Sequence, residues 1–313
     1  MPGKILKFLS FLVLFQLLAG LLQAQTRWIC VDSLYQPLPP SVHLYYTSQP
    51  VDTGTFRAYY LEADLRDPGL VFSSDTSDGR RLTPKRFFEK NQGPLAVVNC
   101  TFFSFETNRS LNLVVKNGKL VSHNWKPVRG QGADSTRFFT YPTAAIGMLS
   151  RHRADVAWVV PDSIRNYVRV LETTPVVPAP ERPWRKQGSR WRVMTAVGGG
   201  PALIQGGKIR ITNNEEHMFA GKAINDKHPR TAMGYTPGGK LIVLAIQGRS
   251  PSSGGATLAQ EAELLLELGC EEALNLDGGG SSCLLVNGKE TIKPSDSQGQ
   301  RPVPAVFLIK RKE

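Results

Sequence analysis

The chain has 313 residues, of which 41% are hydrophobic and 9% aromatic, a composition ordinary for a globular protein with a buried core. Its formal net charge of +12 favours an anionic partner, such as a phosphorylated glycan, an acidic surface polymer or nucleic acid. The charge is spread along the sequence, and no DNA- or RNA-binding motif accompanies it. Composition therefore argues against nucleic acid and leaves the other acidic partners open.

The first residues have the pattern of a secretory signal. Lys4 and Lys7 precede an apolar run over residues 8–22, and Ala24 follows shortly after it. The run is about fifteen residues long, short of the roughly 20 that a membrane-spanning helix needs. This pattern predicts cleavage after Ala24 and export to a periplasm, a cell surface or the medium, with an uncleaved anchor as the alternative. No later stretch is apolar enough to cross a membrane, so we expect no stable membrane insertion after cleavage.

The cysteine spacing matches no zinc motif, and in an oxidising compartment three disulfide pairings or free buried thiols are all possible. The four cysteines are Cys30, Cys100, Cys270 and Cys283. Close in sequence lie His217, Asp226 and His228, but their spacing is not that of a zinc site. We therefore predict neither a metal nor a cofactor.

Four pairs of apolar runs flank tight turns, which is typical of β-hairpins. The turns are Asn-Gly at 117–118 and 287–288, and Gly-Gly at 206–207 and 238–239. These dipeptides adopt the positive φ angles that two-residue hairpin loops require. The predicted hairpins pair 111–115 with 119–121, 202–204 with 208–211, 231–235 with 240–246, and 283–286 with 289–292.

Two segments have the end signals of helices. Thr83-Pro84 places an N-cap before proline at the first helical position. In the segment 257–268, Thr257 and Gln260 have the spacing of a capping box, and Gly269 ends the helix. Many hairpins and few helices predict an α+β fold, namely a single hairpin-rich domain on a mixed β-sheet with a few flanking helices.

We divide the chain into a signal peptide over 1–24, a lead-in over 25–54 and one domain over 55–313. Within that domain, residues 151–193 are rich in tryptophan, proline and arginine. We interpret them as an insertion or a long ordered loop, with a linker between two domains as the alternative.

The segment 273–283 carries the strongest functional signal. An alternating apolar strand leads to Asp277, and three glycines and two serines follow it. Three consecutive glycines cost backbone entropy that a simple turn does not require. They let a ligand approach the main chain and leave N–H groups for anionic oxygens. A plain glycine turn is the alternative, whereas a nucleotide-binding loop is not, because a strand follows and the Gly-Lys-Ser/Thr ending is missing.

Four other segments are weak signals when taken alone. Arg230 stands where the chain enters a strand, and its planar guanidinium suits phosphate, although an ordinary surface arginine is the alternative. Residues 197–201 are again glycine-rich, a buried-looking strand over 97–103 contains Asn99, and 247–250 ends another strand.

In this order, the segments resemble the phosphodiester glycosidase domain family, which includes the mannose-6-phosphate uncovering enzyme of animals and many exported bacterial proteins. The resemblance covers roughly residues 55–310, and its Asn-Leu-Asp-Gly-Gly-Gly-Ser element over 275–281, preceded by the helix at 257–269, is highly specific. It implies hydrolysis of a sugar that is joined through its anomeric carbon to a phosphodiester. The products would be free sugar and a phosphomonoester.

Carried over by position, the resemblance implies that Asp277 and Arg230 are catalytic. The residues expected to contact substrate are Asn99, Gly199, Gly200, Thr231, Gln247, Arg249, Asn275, Gly278, Gly279, Gly280 and Ser281. Arg230 and the glycine N–H groups would bind the departing phosphate. Asp277 would be nucleophile, base for water or electrostatic partner of an oxocarbenium ion, and the sequence does not choose among these.

The chain departs from the family pattern at two positions. Cys100-Thr101 stands where relatives often have glycines, and Gln247 stands where many have an acidic residue. The second departure weakens a two-carboxylate mechanism. Among other carboxylates, we expect Glu261 on a helix surface and leave Glu215 and Glu216 undecided.

Two other functions stay open from the sequence. One is a carbohydrate- or envelope-polymer-binding protein without turnover, in which Trp158, Trp184 and Trp191 stack on sugars. The other is a phosphodiesterase that cleaves the P–O bond. The expected partner in each case is a phosphorylated glycan or sugar-1-phosphodiester, and the oligomeric state is open.

Overall fold

Strands dominate the fold. The computed structural model describes residues 25–123, 127–130, 132, 135–162, 164–171 and 188–312. In chain order the strands within these ranges are β1 Ile29–Cys30, β2 Val42–Thr47, β3 Ala58–Asp64, β4 Leu70–Thr76, β5 Ala96–Asn99, β6 Val114–Lys116, β7 Lys119–Ser122, β8 Pro127–Arg129, β9 Phe138–Thr140, β10 Thr143–Leu149, β11 Arg153–Asp162, β12 Tyr167–Leu171, β13 Ser189–Arg190, β14 Val193–Gly198, β15 Ala202–Gln205, β16 Lys208–Ile209, β17 Arg230–Tyr235, β18 Lys240–Ile246, β19 Glu272–Asn275, β20 Leu284–Val286, β21 Lys289–Glu290 and β22 Ala305–Arg311. The described α-helices are α1 Pro84–Lys90 and α2 Leu258–Glu267, and 3-10 turns occupy Asp32–Leu34, Gly221–Ile224 and Gly279–Ser281.

The strands form three large sheets and a two-stranded ribbon of β8 and β9. The eight-stranded sheet has the order β1-β2-β3-β18-β17-β19-β15-β16, the seven-stranded sheet β13-β12-β11-β10-β14-β6-β7, and the five-stranded sheet β21-β20-β5-β22-β4. The prediction of one mixed sheet is therefore wrong, because the described ladders are antiparallel throughout. Hairpins join some of the neighbouring strands, and β17 separates β18 from β19, which run in the same direction.

The four predicted hairpins are confirmed. They are β6–β7, β15–β16, β17–β18 and β20–β21. Asn117 and Asn287 have φ angles of 51° and 48°, as the Asn-Gly turns require.

Both helix starts are confirmed as well. The Thr83 hydroxyl accepts a hydrogen bond from the Arg86 N–H at 3.2 Å. Thr257 and Gln260 exchange the two bonds of a capping box, at 3.2 and 3.0 Å. The α+β class holds in a sheet-dominated form, because α1 and α2 are short beside the three sheets.

The main apolar core joins all three large sheets. Leu44 of the eight-stranded sheet, Val98 of the five-stranded sheet and Ile146 of the seven-stranded sheet belong to one buried cluster. On its other side, the eight-stranded sheet is covered by α2, whose Leu258 and Leu265 pack with Ile242 and other residues of that sheet. This shared core fixes the three sheets against one another.

The lead-in and the segment interpreted as an insertion both contribute strands to these sheets. From the lead-in over 25–54, β1 and β2 pair next to β3. From the segment 151–193, β11 and β12 extend the seven-stranded sheet, while residues 172–187 lie outside the described ranges. Trp158 and Trp191 are 4% and 5% exposed, so both are core residues and neither is a sugar-stacking surface; Trp184 lies outside the described residues.

The cysteines are free thiols. Cys30 is exposed, and Cys100, Cys270 and Cys283 are buried. Among the described residues, no helix has both the length and the apolar character needed to span a bilayer.

Candidate active site

Asp277 lies on a loop that passes from one sheet to another. β19, in the eight-stranded sheet, ends at Asn275, and β20, in the five-stranded sheet, begins at Leu284. The N–H of Asp277 donates to the carbonyl of Cys100 at 2.8 Å, which places the loop beside the end of β5. The site is therefore held by strands of two sheets.

The surroundings of Asp277 favour its protonated form. Burial raises the pKa of this carboxyl to about 7, although the Ser281 hydroxyl, the Arg301 guanidinium and the Gly278 N–H act to lower it. Near neutral pH the group therefore exists in both protonation states. Such a carboxyl can accept or release a proton near neutral pH.

Asn99 fixes this loop to two strands. Its Nδ2 donates to the Asp277 carbonyl at 2.5 Å. Its Oδ1 accepts hydrogen bonds from the Thr231 hydroxyl at 3.0 Å and from the Cys283 N–H at 2.9 Å. The Asn99 and Thr231 side chains, both predicted to contact substrate, thus bind each other and the loop.

Close packing requires glycine at 278 and 280, and the backbone conformation favours glycine at 279. A Cβ at Gly278 would lie 2.8 Å from the Pro229 carbonyl oxygen, and a Cβ at Gly280 would overlap the side chains of Arg301 and Asp296. Gly279 has a φ of +62°, in the left-handed region that favours glycine.

The main-chain N–H groups of the loop are largely satisfied within the protein. Gly279 donates to the Pro229 carbonyl at 2.8 Å, and Ser281 donates to the Gly278 carbonyl at 3.2 Å. The expectation that the glycine N–H groups stay free for an anion is therefore wrong for Gly279. The Gly279 donor bonds to the neighbouring segment at Pro229, and the 3-10 turn uses the Ser281 donor.

Three arginines surround the loop, and the sequence pointed to two of them. Arg230 is 3% exposed, and its Nε and Nη2 donate to the carbonyls of Ala256 and Asp226 at 3.0 and 3.2 Å. Arg249 is exposed and borders Gly279. Arg301, which belongs to no motif that we recognised, borders Gly280 and is held by Asp296 through two bonds of 2.8 and 2.9 Å.

His228 is a further neighbour that sequence reasoning assigned no role. Its Nδ1 accepts a hydrogen bond from Nη2 of Arg249 at 3.1 Å. Burial, together with the charges of Arg230 and Arg249, lowers the pKa of His228. A neutral imidazole therefore holds the exposed arginine beside the glycine loop.

Glu261 is buried, so its prediction as a helix-surface residue is wrong. It is 0% exposed and lies in the first turn of α2, which packs on β17. Burial raises its pKa to about 8 against the opposing charge of Arg230. Helical periodicity shows one apolar face but not which other position a neighbouring strand covers.

The sequence left the role of Glu216 undecided. In the structure its side chain is buried and hydrogen-bonded to the strands around it. Its carboxylate accepts hydrogen bonds from the N–H groups of Ala144 and Ala202, both at 2.8 Å, and from Trp158 Nε1 at 3.0 Å. These donors belong to both the seven- and the eight-stranded sheets. Glu216 therefore ties the two sheets together.

The predicted contacts Gly199, Gly200 and Asn275 lie against one another at the end of β19, before the Asp277 loop begins. The N–H of Gly200 donates to the Asn275 carbonyl, and Asn275 Nδ2 donates to the Gly200 carbonyl, both at 2.8 Å. A Cβ at Gly199 would overlap the Asn275 carbonyl oxygen. These residues support the end of β19 by close backbone packing.

The predicted contact Gln247 also has its amide occupied. Its Nε2 donates to the hydroxyls of Ser250 and Ser252 at 3.1 and 2.8 Å, and its Oε1 accepts from the Lys293 N–H at 3.0 Å. Of the predicted site residues, Asp277, Gly278, Gly279 and Arg249 retain solvent exposure, while Gly280 and Ser281 are buried. The accessible part of the site is thus the Asp277 loop with its arginines.

The sequence model of the phosphodiester glycosidase family matches residues 92–310. This match spans more than half of the 313 residues, so the chain belongs to the phosphodiester glycosidase family.

Curated relatives match parts of the chain. An N-acetylglucosamine-1-phosphodiester alpha-N-acetylglucosaminidase from Bos taurus is 35% identical over 102 residues, which are 30% of this chain and 19% of that protein. The protein with the same description from Mus musculus is 27% identical over 200 residues, or 63% and 33% of the two chains. An uncharacterised prophage-derived protein of Bacillus subtilis, YomE, is 44% identical over 73 residues, or 23% and 11%. The matched region is thus a third or less of each of these relatives.

Solved structures share the fold over most of the chain. One is the catalytic domain of the zebrafish N-acetylglucosamine-1-phosphodiester alpha-N-acetylglucosaminidase, auto-inhibited by its pro-peptide. It has a TM-score of 0.62 at 19% identity, and the match covers 92% of this chain and 89% of that one. A hypothetical protein from Synechocystis has a TM-score of 0.59 at 16% identity, with coverages of 91% and 64%.

Proposed function

We propose that this protein hydrolyses the glycosidic bond of a sugar-1-phosphodiester and releases free sugar and a phosphomonoester. The observation that carries the proposal is the position of Asp277, a carboxyl of pKa about 7 on a glycine loop bordered by Arg249 and Arg301. A proton-exchanging group and cations for a phosphate are thereby within one small site. Family membership supports the same reaction class.

The chemistry follows from the leaving group. The bond between the anomeric carbon and the phosphate oxygen breaks, and both electrons leave with the phosphate. Because a phosphate is a far better leaving group than an alkoxide, it needs no general acid of its own. Arg249 and Arg301 would stabilise its charge. Ionised Asp277 would accept the proton of the water that attacks the anomeric carbon, so that hydroxide bonds to the sugar.

Arg230 has a different part in this proposal from the one that the sequence suggested. Two of its guanidinium nitrogens already donate to main-chain carbonyls. A bidentate grip through Nε and Nη2 is therefore excluded in this arrangement. We propose that Arg230 contributes positive charge beneath the loop and orients the chain from Asp226 to Ala256.

N-acetylglucosamine-1-phosphodiesters are the first substrates to test. The described activity of the bovine and murine relatives is toward this class of compound. Other sugars belong in the same panel because this chain differs from the family pattern at Cys100, Thr101 and Gln247.

The test is product analysis with a matched pair of variants. Purified protein is incubated with the panel, and the products are identified by mass. Asp277→Asn should abolish release of free sugar. Asp155→Asn, which alters another carboxyl of raised pKa on the seven-stranded sheet, should retain it. Release of sugar phosphate would instead identify P–O cleavage, and glycan binding without any turnover would identify a binding protein.

We also propose export and a single functional domain over residues 55–313, to whose eight-stranded sheet the lead-in over 25–54 adds β1 and β2. The supporting observation for export is the basic start, short apolar run and Ala24 over the first residues. Expression of the whole chain, followed by mass measurement of the secreted form, tests both the cleavage after Ala24 and the export. A product that keeps residues 1–24 would contradict the cleavage.

A further inference from the structure

We propose that Arg81, Phe105 and Arg301 form a subsite for an anionic sugar in the part of the substrate beyond the phosphate. The inference rests on the proposed function, since it concerns the group that leaves with the phosphate. It assigns a substrate class, an anionic glycan joined through phosphate to the sugar that is released.

An exposed aromatic ring marks the place. Phe105 follows β5 on the loop 100–113 and is 61% exposed, which is unusual for a large apolar side chain. Its ring centroid lies 4.8 Å from that of Phe103, which is 8% exposed and belongs to the core. Phe105 is thus supported from below while a large part of the ring faces solvent, and rings of this kind pack on the apolar faces of sugars.

Arginines flank the ring on the path toward Asp277. The Cζ of Arg301 lies 5.4 Å from the Phe105 centroid, and the Cζ of Arg81 lies 5.1 Å from it. Arg301 also packs on Gly280 and lowers the pKa of Asp277. Arg301 therefore connects the surroundings of Asp277 to Phe105, and Phe105 in turn contacts Arg81.

The two arginines differ in their partners. The charge of Arg301 is partly offset by its two bonds to Asp296. For Arg81, the contacts within the described part of the chain are the rings of Phe103 and Phe105, and no carboxylate pairs with it there. The guanidinium of Arg81, which no described carboxylate neutralises, lies beside the exposed ring of Phe105 and favours the binding of an anion there.

Backbone hydrogen bonds connect the segment that carries Arg81 to the segment that carries Arg301. Leu82, next to Arg81, pairs with Val303, two residues from Arg301, through N–H···O=C bonds of 3.0 and 2.8 Å in both directions. The two segments that carry the arginines are therefore joined directly. A preorganised pair of cations loses little entropy when it binds a ligand.

The experiment compares two substrates with the same released sugar. One has a methyl group beyond the phosphate, and the other has a sugar that carries a carboxylate. Arg81→Gln should lower the ratio of kcat/KM for the anionic over the methyl substrate about tenfold, the size expected when a charge-assisted hydrogen bond is lost. Phe105→Ala should lower it in the same direction. Arg80→Gln, which removes an exposed neighbouring charge, is the control and should leave the ratio unchanged.

The outcomes separate the two proposals. An unchanged ratio in Arg81→Gln, or an equal loss with Arg80→Gln, would overturn the subsite. If the wild-type protein cleaves neither substrate, the proposed function fails. Calorimetric binding of the anionic compound then tests the subsite directly, because Arg81→Gln should still weaken it about tenfold relative to Arg80→Gln.

Discussion

Glu261 faces Arg230 in the interior between α2 and β17, yet neither carboxylate oxygen of Glu261 accepts a hydrogen bond within the described structure. Arg230 donates to main-chain carbonyls instead. The two groups therefore interact through charge alone, and burial outweighs that attraction. A buried ionisable group without hydrogen bonds costs stability.

Replacing Glu261 by Gln should change how stability depends on pH. The folded-state pKa of about 8 lies above the ordinary value of 4.5, so the stability that this group contributes is present below pH 4.5 and is lost as pH rises through 8. Relative to wild type, Glu261→Gln should gain about 1 kcal/mol of unfolding free energy per pH unit across this window. Denaturant unfolding at several pH values measures it. Glu263→Gln, exposed on the same helix, is the control, and curves parallel to wild type for Glu261→Gln would contradict the prediction.

Asp277 should link activity and stability in opposite directions. Its folded pKa of about 7 is above the ordinary 3.8, so its contribution to stability falls as pH rises from about 4 to 7. Asp277→Asn should therefore unfold at a higher temperature than wild type at pH 7 while losing about 100-fold or more in turnover. Wild-type turnover should rise with pH through about 7, because the proposed base acts in its ionised form.

The outcome that would contradict this assignment is also defined. Turnover that falls as pH rises through 7 would make Asp277 a proton donor. Turnover of Asp277→Asn near the wild-type value would remove it from the reaction.

Three glycine-to-alanine variants should have graded effects. At Gly199 the new methyl group meets the Asn275 carbonyl, which belongs to the backbone and cannot move away, so we expect a loss of about 2–4 kcal/mol in unfolding free energy. At Gly280 it meets the ends of the Arg301 and Asp296 side chains, so turnover should fall more than stability. At Gly238 the nearest atom is 3.6 Å away, and neither property should change. Equal effects at the first two positions would contradict this account.

Asn99→Ala should destabilise the protein and misplace Asp277. The substitution removes three hydrogen bonds, to the Asp277 carbonyl, the Thr231 hydroxyl and the Cys283 N–H. At about 1 kcal/mol for each bond, the loss in unfolding free energy should be about 3 kcal/mol. Thermal unfolding and turnover are compared with those of Asn225→Ala, which alters an exposed asparagine outside the loop. If both variants unfold at the wild-type temperature, Asn99 does not hold the loop.

Local features were predictable from the sequence, and features made by distant contacts were not. The turn at Asn117 and the capping box at Thr257 depend on neighbouring residues, so composition and spacing suffice to find them. The burial of Glu261 and the approach of Arg301 to Gly280 depend on strands far away in the chain. The number of sheets and their antiparallel pairing have the same origin.

The site residues show the same division. Asp277 and its glycines were found because an unusual run of residues marks them. The actual partners of Arg230 and Gln247 could not be foreseen, because a side chain's hydrogen bonds are set by whatever the fold brings next to it. Motif order therefore pointed to the candidate site, while the structure gives the contacts of its residues.

The position of β22 in its sheet means that the fold is completed only by the last residues of the chain. This strand, Ala305–Arg311, lies in the sheet between β5 and β4, which are made much earlier during translation. A nascent chain that has grown only to residue 300 lacks both this central strand and Arg301. The five-stranded sheet then lacks the strand that pairs with β5 at Asn99. The loop that carries Asp277 lacks its contact with Arg301. Residues 301–311 are therefore needed to complete both the five-stranded sheet and the surroundings of the Asp277 loop.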